Sequence, residues 1–316
     1  MGQVSIPQFI ENAEVILGEG AVIERIKRES DQDLDPYIVN AGFIYDDRQR
    51  NLLADIFKGY LDIGKTSGLP LLLSTPTWRA SRERIQSAGY ADRDVNADNF
   101  KFLDDLRKST GAYAEKVLVC GLMSCCGDAY NPAERLSAEE AKRFHSWQAD
   151  RLAETGVDFL LAATLPALSE ALGLAAAQAA TGKPYIISFV LRPEGTLLDN
   201  TPLKEAVATI DAKVDPKPLA YMANCTHASF FRSAITHEQN ASPQIRKRVI
   251  GLLANTAALE PETLDNSDNL VSEKPEKFGR NLAKLKDEFS LKIIGGCCGT
   301  DERHIGALAD NLIHQF

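Results

Sequence analysis

Apolar residues along this chain gather in short unbroken runs, separated by stretches in which they recur at spacings of three and four. The runs at 14–18, 69–75, 117–123, 157–162, 184–191, 219–223, 249–254 and 291–294 predict strands. The spaced stretches predict helices over 21–28, 48–65, 96–109, 137–154, 168–180, 202–210, 227–235, 274–288 and 301–313. In 48–65, for example, Leu52, Leu53, Ile56, Phe57, Tyr60 and Leu61 share one broad face. Ser137 with Glu140 three residues on forms a capping box that opens the helix over 137–154. The segment 31–45 reads as a loop with a turn or partial helix, and 79–94 as a long polar loop.

Strands that are apolar throughout, rather than alternating, belong to a parallel sheet covered on both faces. Eight strands, each followed by helix, within 316 residues favour a single closed (β/α)8 TIM barrel over an open doubly wound sheet. No linker or shift in composition divides the chain, so residues 1–316 are expected to form one barrel domain.

A formal charge of −9 and a pI near 5.2 argue against nucleic acid or an anionic membrane as partner. No apolar run approaches the ~20 residues of a membrane helix, and the first residues carry no secretory pattern. Six cysteines, four of them in adjacent pairs, do not form a disulfide framework. They point to thiol or metal chemistry in a reducing, cytoplasmic setting.

The chemistry concentrates near the C-terminus, in Gly295-Gly296-Cys297-Cys298-Gly299-Thr300. Adjacent cysteines pair poorly with each other, but flanking glycines let both turn toward one soft metal. Tetrahedral zinc needs further ligands, and Cys225, after the strand at 219–223, is the candidate third sulfur. Cys225 and Cys297–Cys298 follow the sixth and eighth strands, which lie close together in a closed barrel and end on its catalytic face. The competing reading is three small buried hydrophobes.

With these residues in view, the chain resembles the zinc-dependent homocysteine S-methyltransferase family. That family includes the betaine- and S-methylmethionine-dependent enzymes and the homocysteine domain of methionine synthase. The resemblance rests on Asn224-Cys225 and Gly295 to Thr300. Thr77-Trp78-Arg79-Ala80-Ser81, Gly127-Asp128-Ala129-Tyr130, Leu136 to Ala141, Phe144-His145, Gly156-Val157-Asp158, Thr164-Leu165-Pro166, Glu170-Ala171, Ser188-Phe189 and Ala254-Asn255 extend it along nearly the whole chain. It implies a barrel in which Cys225, Cys297 and Cys298 hold Zn2+ and leave a fourth position for a small-molecule thiol. A sulfonium or quaternary ammonium donor would supply the methyl group. Substrate contacts are expected at Glu19, Gly20, Trp78, Asn224 and Asn255, with Asn224 alternatively orienting the metal loop or satisfying its backbone and Asn255 alternatively capping a turn.

Two positions depart from the family pattern. Where Asp-Gly usually follows strand one, this chain has Glu19-Gly20; where Glu-Thr-x-Pro usually follows strand four, it has Ala163-Thr164-Leu165-Pro166. The second change removes a carboxylate expected to bind the homocysteine ammonium. The leading expectation remains methyl transfer to homocysteine, giving methionine. The alternatives are a methyltransferase or demethylase acting on another thiol or thioether, and a non-catalytic metal-binding protein. Cys125-Cys126, outside the family signature, reads as two small thiols filling a loop; a substrate contact, an accessory metal and redox inactivation are its functional alternatives. Trp78 is either packing or an aromatic face for a cationic donor. Tyr130 and His145 read as structural, and His227 as solvated or capping.

Overall fold

The computed structural model describes residues 5–260 and 272–313. Its eight strands are β1 Ile16–Gly18, β2 Leu71–Ser74, β3 Val117–Met123, β4 Phe159–Leu165, β5 Tyr185–Phe189, β6 Ala220–His227, β7 Val249–Asn255 and β8 Ile293–Gly296. All pair in parallel and in sequence order, and β1 joins both β2 (Leu17 with Leu71) and β8 (Ile16 with Ile293) to close the barrel. The (β/α)8 expectation holds.

The unbroken apolar strands follow from the pleat, because successive residues enter two different cores. Ile16, Leu72, Leu118, Phe159, Leu161, Ile186, Met222 and Ile293 fill the barrel interior. Leu17, Leu71, Val117, Leu160, Ile187, Tyr221, Leu252 and Ile294 face the surrounding helices. The N-terminal end of the interior is plugged by a helix not anticipated from the sequence, Ile6–Asn12, with Ile10 buried against the interior core.

Two further differences have local causes. The expected polar loop at 79–94 contains a helix, Arg82–Ser87, capped by the Ser81 hydroxyl, which accepts from the Arg84 N–H. It buries Ile85 alone, too little to give a periodic signal. A similar short helix, Pro243–Arg248, buries only Ile245. Elsewhere helices lie where spacing placed them, including Leu168–Ala180 with both ends as expected.

At the catalytic end, β8 approaches β1 more closely than side chains allow. A Cβ on Gly295 would stand 2.6–2.7 Å from the backbone of Gly18. Gly295→Ala is therefore expected to cost about 2 kcal/mol, read as a lower denaturant midpoint at unchanged slope.

Candidate active site at the C-terminal ends of the strands

Cys225 sits in an irregularity of β6, where the register with β7 slips between Asn224 and Thr226. Its φ of 48° lies in the left-handed region, costly for a residue with a Cβ and therefore held by its surroundings. Asn224 supplies much of that hold. Its Oδ1 accepts from the Thr164 N–H (2.8 Å) and the Ser188 hydroxyl (2.7 Å), and its Nδ2 donates to Thr164 Oγ1 (2.7 Å) and Cys225 Sγ (3.5 Å). One amide thus ties β4, β5 and β6 together beneath the sulfur.

Cys297 and Cys298 lie in the turn leaving β8. The Cys297 N–H donates to Ala254 O (2.7 Å), its carbonyl accepts from the Thr300 hydroxyl (2.6 Å), and the Thr256 N–H donates to Cys298 O (3.1 Å). Gly299, at φ 83°, completes the turn. Cys225 Sγ and Cys297 Sγ are 2.8 Å apart, and all three sulfurs lie within 4.8 Å of one another. Thiolates on a tetrahedral zinc, each about 2.3 Å from the metal, stand roughly 3.8 Å apart, inside this range. Hydrogen bonds from Cys297 and Cys298 hold the Cys225 thiol well below the usual thiol range, whereas the hydrogen bond to Cys225 pushes Cys297 up. The cluster gives up one proton readily and resists losing more, a charge balance that a divalent cation would reverse. Three soft donors so arranged fit zinc.

Glu19, 8% exposed, continues from β1 into the same end of the barrel. Its Oε1 accepts the Ser74 N–H at 3.1 Å, while Oε2 has no partner among the described residues. Burial raises its pKa to about 8, offset only partly by Ser74. A buried carboxylate with one oxygen unpaired is a ready acceptor for a cation. Asn255, at the end of β7, likewise leaves its buried Oδ1 without a partner among the described residues.

The other expected contacts have different roles. A Cβ at Gly20 would lie 2.7 Å from Tyr60 Oη and 3.0 Å from Thr300 Oγ1, so this glycine serves packing. The polar atoms of Asn224 are engaged by protein, which makes it a positioning residue. The Arg79 guanidinium stacks on the Trp78 ring, 4.4 Å from its centroid, and places a fixed positive charge on that aromatic face. His227 caps the helix Ala228–Thr236 by accepting the Ser229 N–H (3.2 Å). Cys125 is buried and Cys126 half-buried; burial pushes the Cys125 thiol up to about 12 and raises Cys126 too. Neither joins the three-sulfur cluster.

Tyr130, read from the sequence as structural, packs against the buried cluster of Val190, Leu198 and Cys225, against which Cys297 and Cys298 also pack. The signals that could have placed it at the site were its position after the third strand, on the catalytic face, and its membership of the Gly127-Asp128-Ala129-Tyr130 segment.

A closed parallel barrel with a soft-donor cluster and an unpaired carboxylate at its strand ends defines a (β/α)8 enzyme with a thiol-rich working end. The homocysteine S-methyltransferase family model matches residues 16–312, and the chain belongs to that family of methyltransferases. The homocysteine S-methyltransferase of Escherichia coli (strain K12) is 28% identical over 253 residues, 74% of this chain and 77% of that one. Betaine–homocysteine S-methyltransferase 1 of Bos taurus is 22% identical over 327 residues, 97% of this chain and 74% of its own length. Among solved structures, the metallated form of an E. coli homocysteine methyltransferase superposes with a TM-score of 0.73 at 19% identity, covering 95% of this chain and 97% of that one.

Proposed function

We propose that this methyltransferase transfers a methyl group from a sulfonium donor of the S-methylmethionine type, or from a quaternary ammonium donor, to homocysteine, giving methionine. The convergence of Cys225, Cys297 and Cys298 at the mouth of the barrel carries this reading. The activities named for the E. coli and Bos taurus relatives support the acceptor, and that of the Bos taurus relative supports the quaternary ammonium donor. Zinc bound by the three thiolates would ionise an incoming thiol that, at a free pKa of ~8.5, is only a few per cent thiolate at neutral pH.

The protein's own residues bind and aim. Asn224 fixes Cys225, Glu19 takes the acceptor's ammonium on its unpaired oxygen, and the Asn255 carbonyl offers a second acceptor. A carbon–sulfur bond forms in line as the donor's methyl bond breaks, and the electron pair leaves on a neutral thioether or amine. No general base is required at that moment. The whole chain acts as one barrel domain on small molecules, in a reducing compartment such as the cytoplasm that keeps its six cysteines as thiols.

Ala163 favours a second reading, in which the acceptor is a different thiol, because the position lacks the family's usual carboxylate. Zinc content and a matrix of donors and acceptors on freshly reduced protein separate the two. One zinc per chain with homocysteine turnover supports the first reading. One zinc with turnover only on another thiol supports the second. Absence of zinc from active protein overturns the mechanism, and zinc without turnover on any pair leaves a metal-binding module.

A further inference from the structure

The connection between β3 and the helix Ala138–Ala153 is pinned far more heavily than chain closure requires. Glu170, only 1% exposed, grips both of its ends. Oε1 accepts the Cys126 N–H at 2.6 Å and the His145 Nε2–H at 3.0 Å, while Oε2 accepts the Leu136 N–H at 3.4 Å. From the other side, Arg79 Nη1 donates to the carbonyls of Cys125 and Cys126, each at 3.1 Å, and to that of Gly127. Arg84 adds a bond to Cys126 O at 3.0 Å. Within the loop, Asp128 accepts the Tyr130 N–H at 2.9 Å. The product of this bracing is the placement of one side chain, Tyr130, which packs in the same small cluster as Cys225, Cys297 and Cys298.

A buried carboxylate is costly unless its oxygens are well supplied with donors, and Glu170 draws its donors from the two ends of the loop. The same guanidinium that closes over Trp78 holds the loop's carbonyls, so Trp78 and Tyr130 are set by one residue. Of these two aromatics, Tyr130 is the one in contact with the sulfur cluster.

We propose that Tyr130 is a positioning residue of the methyl-transfer site, its hydroxyl donating to the ligand sulfurs, and that Glu170 and Arg79 act through it by holding the loop. This rests on the zinc-thiolate reading above. An O–H donor withdraws charge from a thiolate sulfur and fixes its lone-pair direction.

Cobalt(II) substituted for zinc provides a readout independent of turnover, namely the sulfur-to-cobalt charge-transfer absorption. Tyr130→Phe is expected to shift that band to longer wavelength, because the sulfur loses a hydrogen bond, while cobalt stoichiometry stays the same. Glu170→Gln should give a shift in the same direction, since its amide nitrogen cannot accept one of the N–H groups that the carboxylate holds. Combining the two should shift the band little beyond the larger single effect. In the zinc enzyme, Tyr130→Phe should lower kcat about tenfold, with the acceptor KM within about twofold. Arg79→Gln replaces Glu170→Gln if the latter does not fold. Cobalt uptake with bands unmoved by Tyr130→Phe, or fully additive shifts in the double variant, overturns this inference alone. A wild-type protein that takes up neither metal overturns the zinc reading and this inference with it.

Discussion

Cys225→Ala is expected to bring metal content from one zinc per chain to near zero and to lower turnover by on the order of 10³-fold or more. The ionisation of the acceptor thiol and its alignment with the donor are lost together. Cys225 is the most demanding of the three positions, because its left-handed backbone and the bond from Asn224 exist to aim one sulfur. The barrel should survive, since the removed atom lies at its mouth, in a small cluster with Val190 and Leu198 apart from the two main cores. Circular dichroism and thermal melting of metal-free wild type and variant should therefore agree within a few degrees. Metal titration with a chromogenic chelator should separate them sharply. Retention of one tightly bound zinc by Cys225→Ala would remove Cys225 from the ligand set and with it the link between β6 and β8.

The comparison between expectation and structure follows burial. The barrel was legible because each strand residue enters one of two cores, so Leu17 and Ile16 are both apolar although they point apart. Helices that bury a full stripe, such as Pro275–Phe289 with Phe278, Leu282, Leu285 and Phe289, also declared themselves. Ile6–Asn12, Arg82–Ser87 and Pro243–Arg248 did not, because each buries one residue and one residue has no period. Their preceding serines, Ser5, Ser81 and Ser242, were the overlooked signal. The end of β6 was placed too early because the irregularity at Asn224-Cys225-Thr226 carries polar residues onward in pairing with β7.

At the site, the cysteine cluster was readable from strand order alone. The role of Asn224 was not, since its partners Thr164 and Ser188 come from strands 36 to 60 residues away. The same distance hid Glu170, whose position inside a helix gives no hint that it grips a loop.

Glu19→Gln should raise the acceptor KM about 30- to 100-fold while changing kcat much less, because a buried ammonium loses its charged partner. The pH dependence sharpens the test. Without ligand, burial holds the Glu19 carboxyl near 8, so at pH 7 it is mostly protonated. An ammonium beside Oε2 favours the ionised form, and binding then releases a proton. Acceptor affinity should consequently rise with pH up to about 8 and level off above it. Glu19→Gln should remove that contribution and leave only the part due to the thiol's own ionisation. Stability carries the same signature without substrate. A carboxyl whose folded pKa is raised contributes stability that is present at low pH and is lost as pH rises from about 4.5 to about 8. Glu19→Gln should thus melt higher than wild type at pH 8 and lose that advantage near pH 5. The second half of the test is Ala163→Glu. If wild type turns over homocysteine well and Glu19→Gln collapses it, the single longer carboxylate suffices at the ammonium. If wild type handles homocysteine poorly and Ala163→Glu improves it, the missing carboxylate marks an acceptor other than homocysteine, one whose recognition does not require a second negative charge.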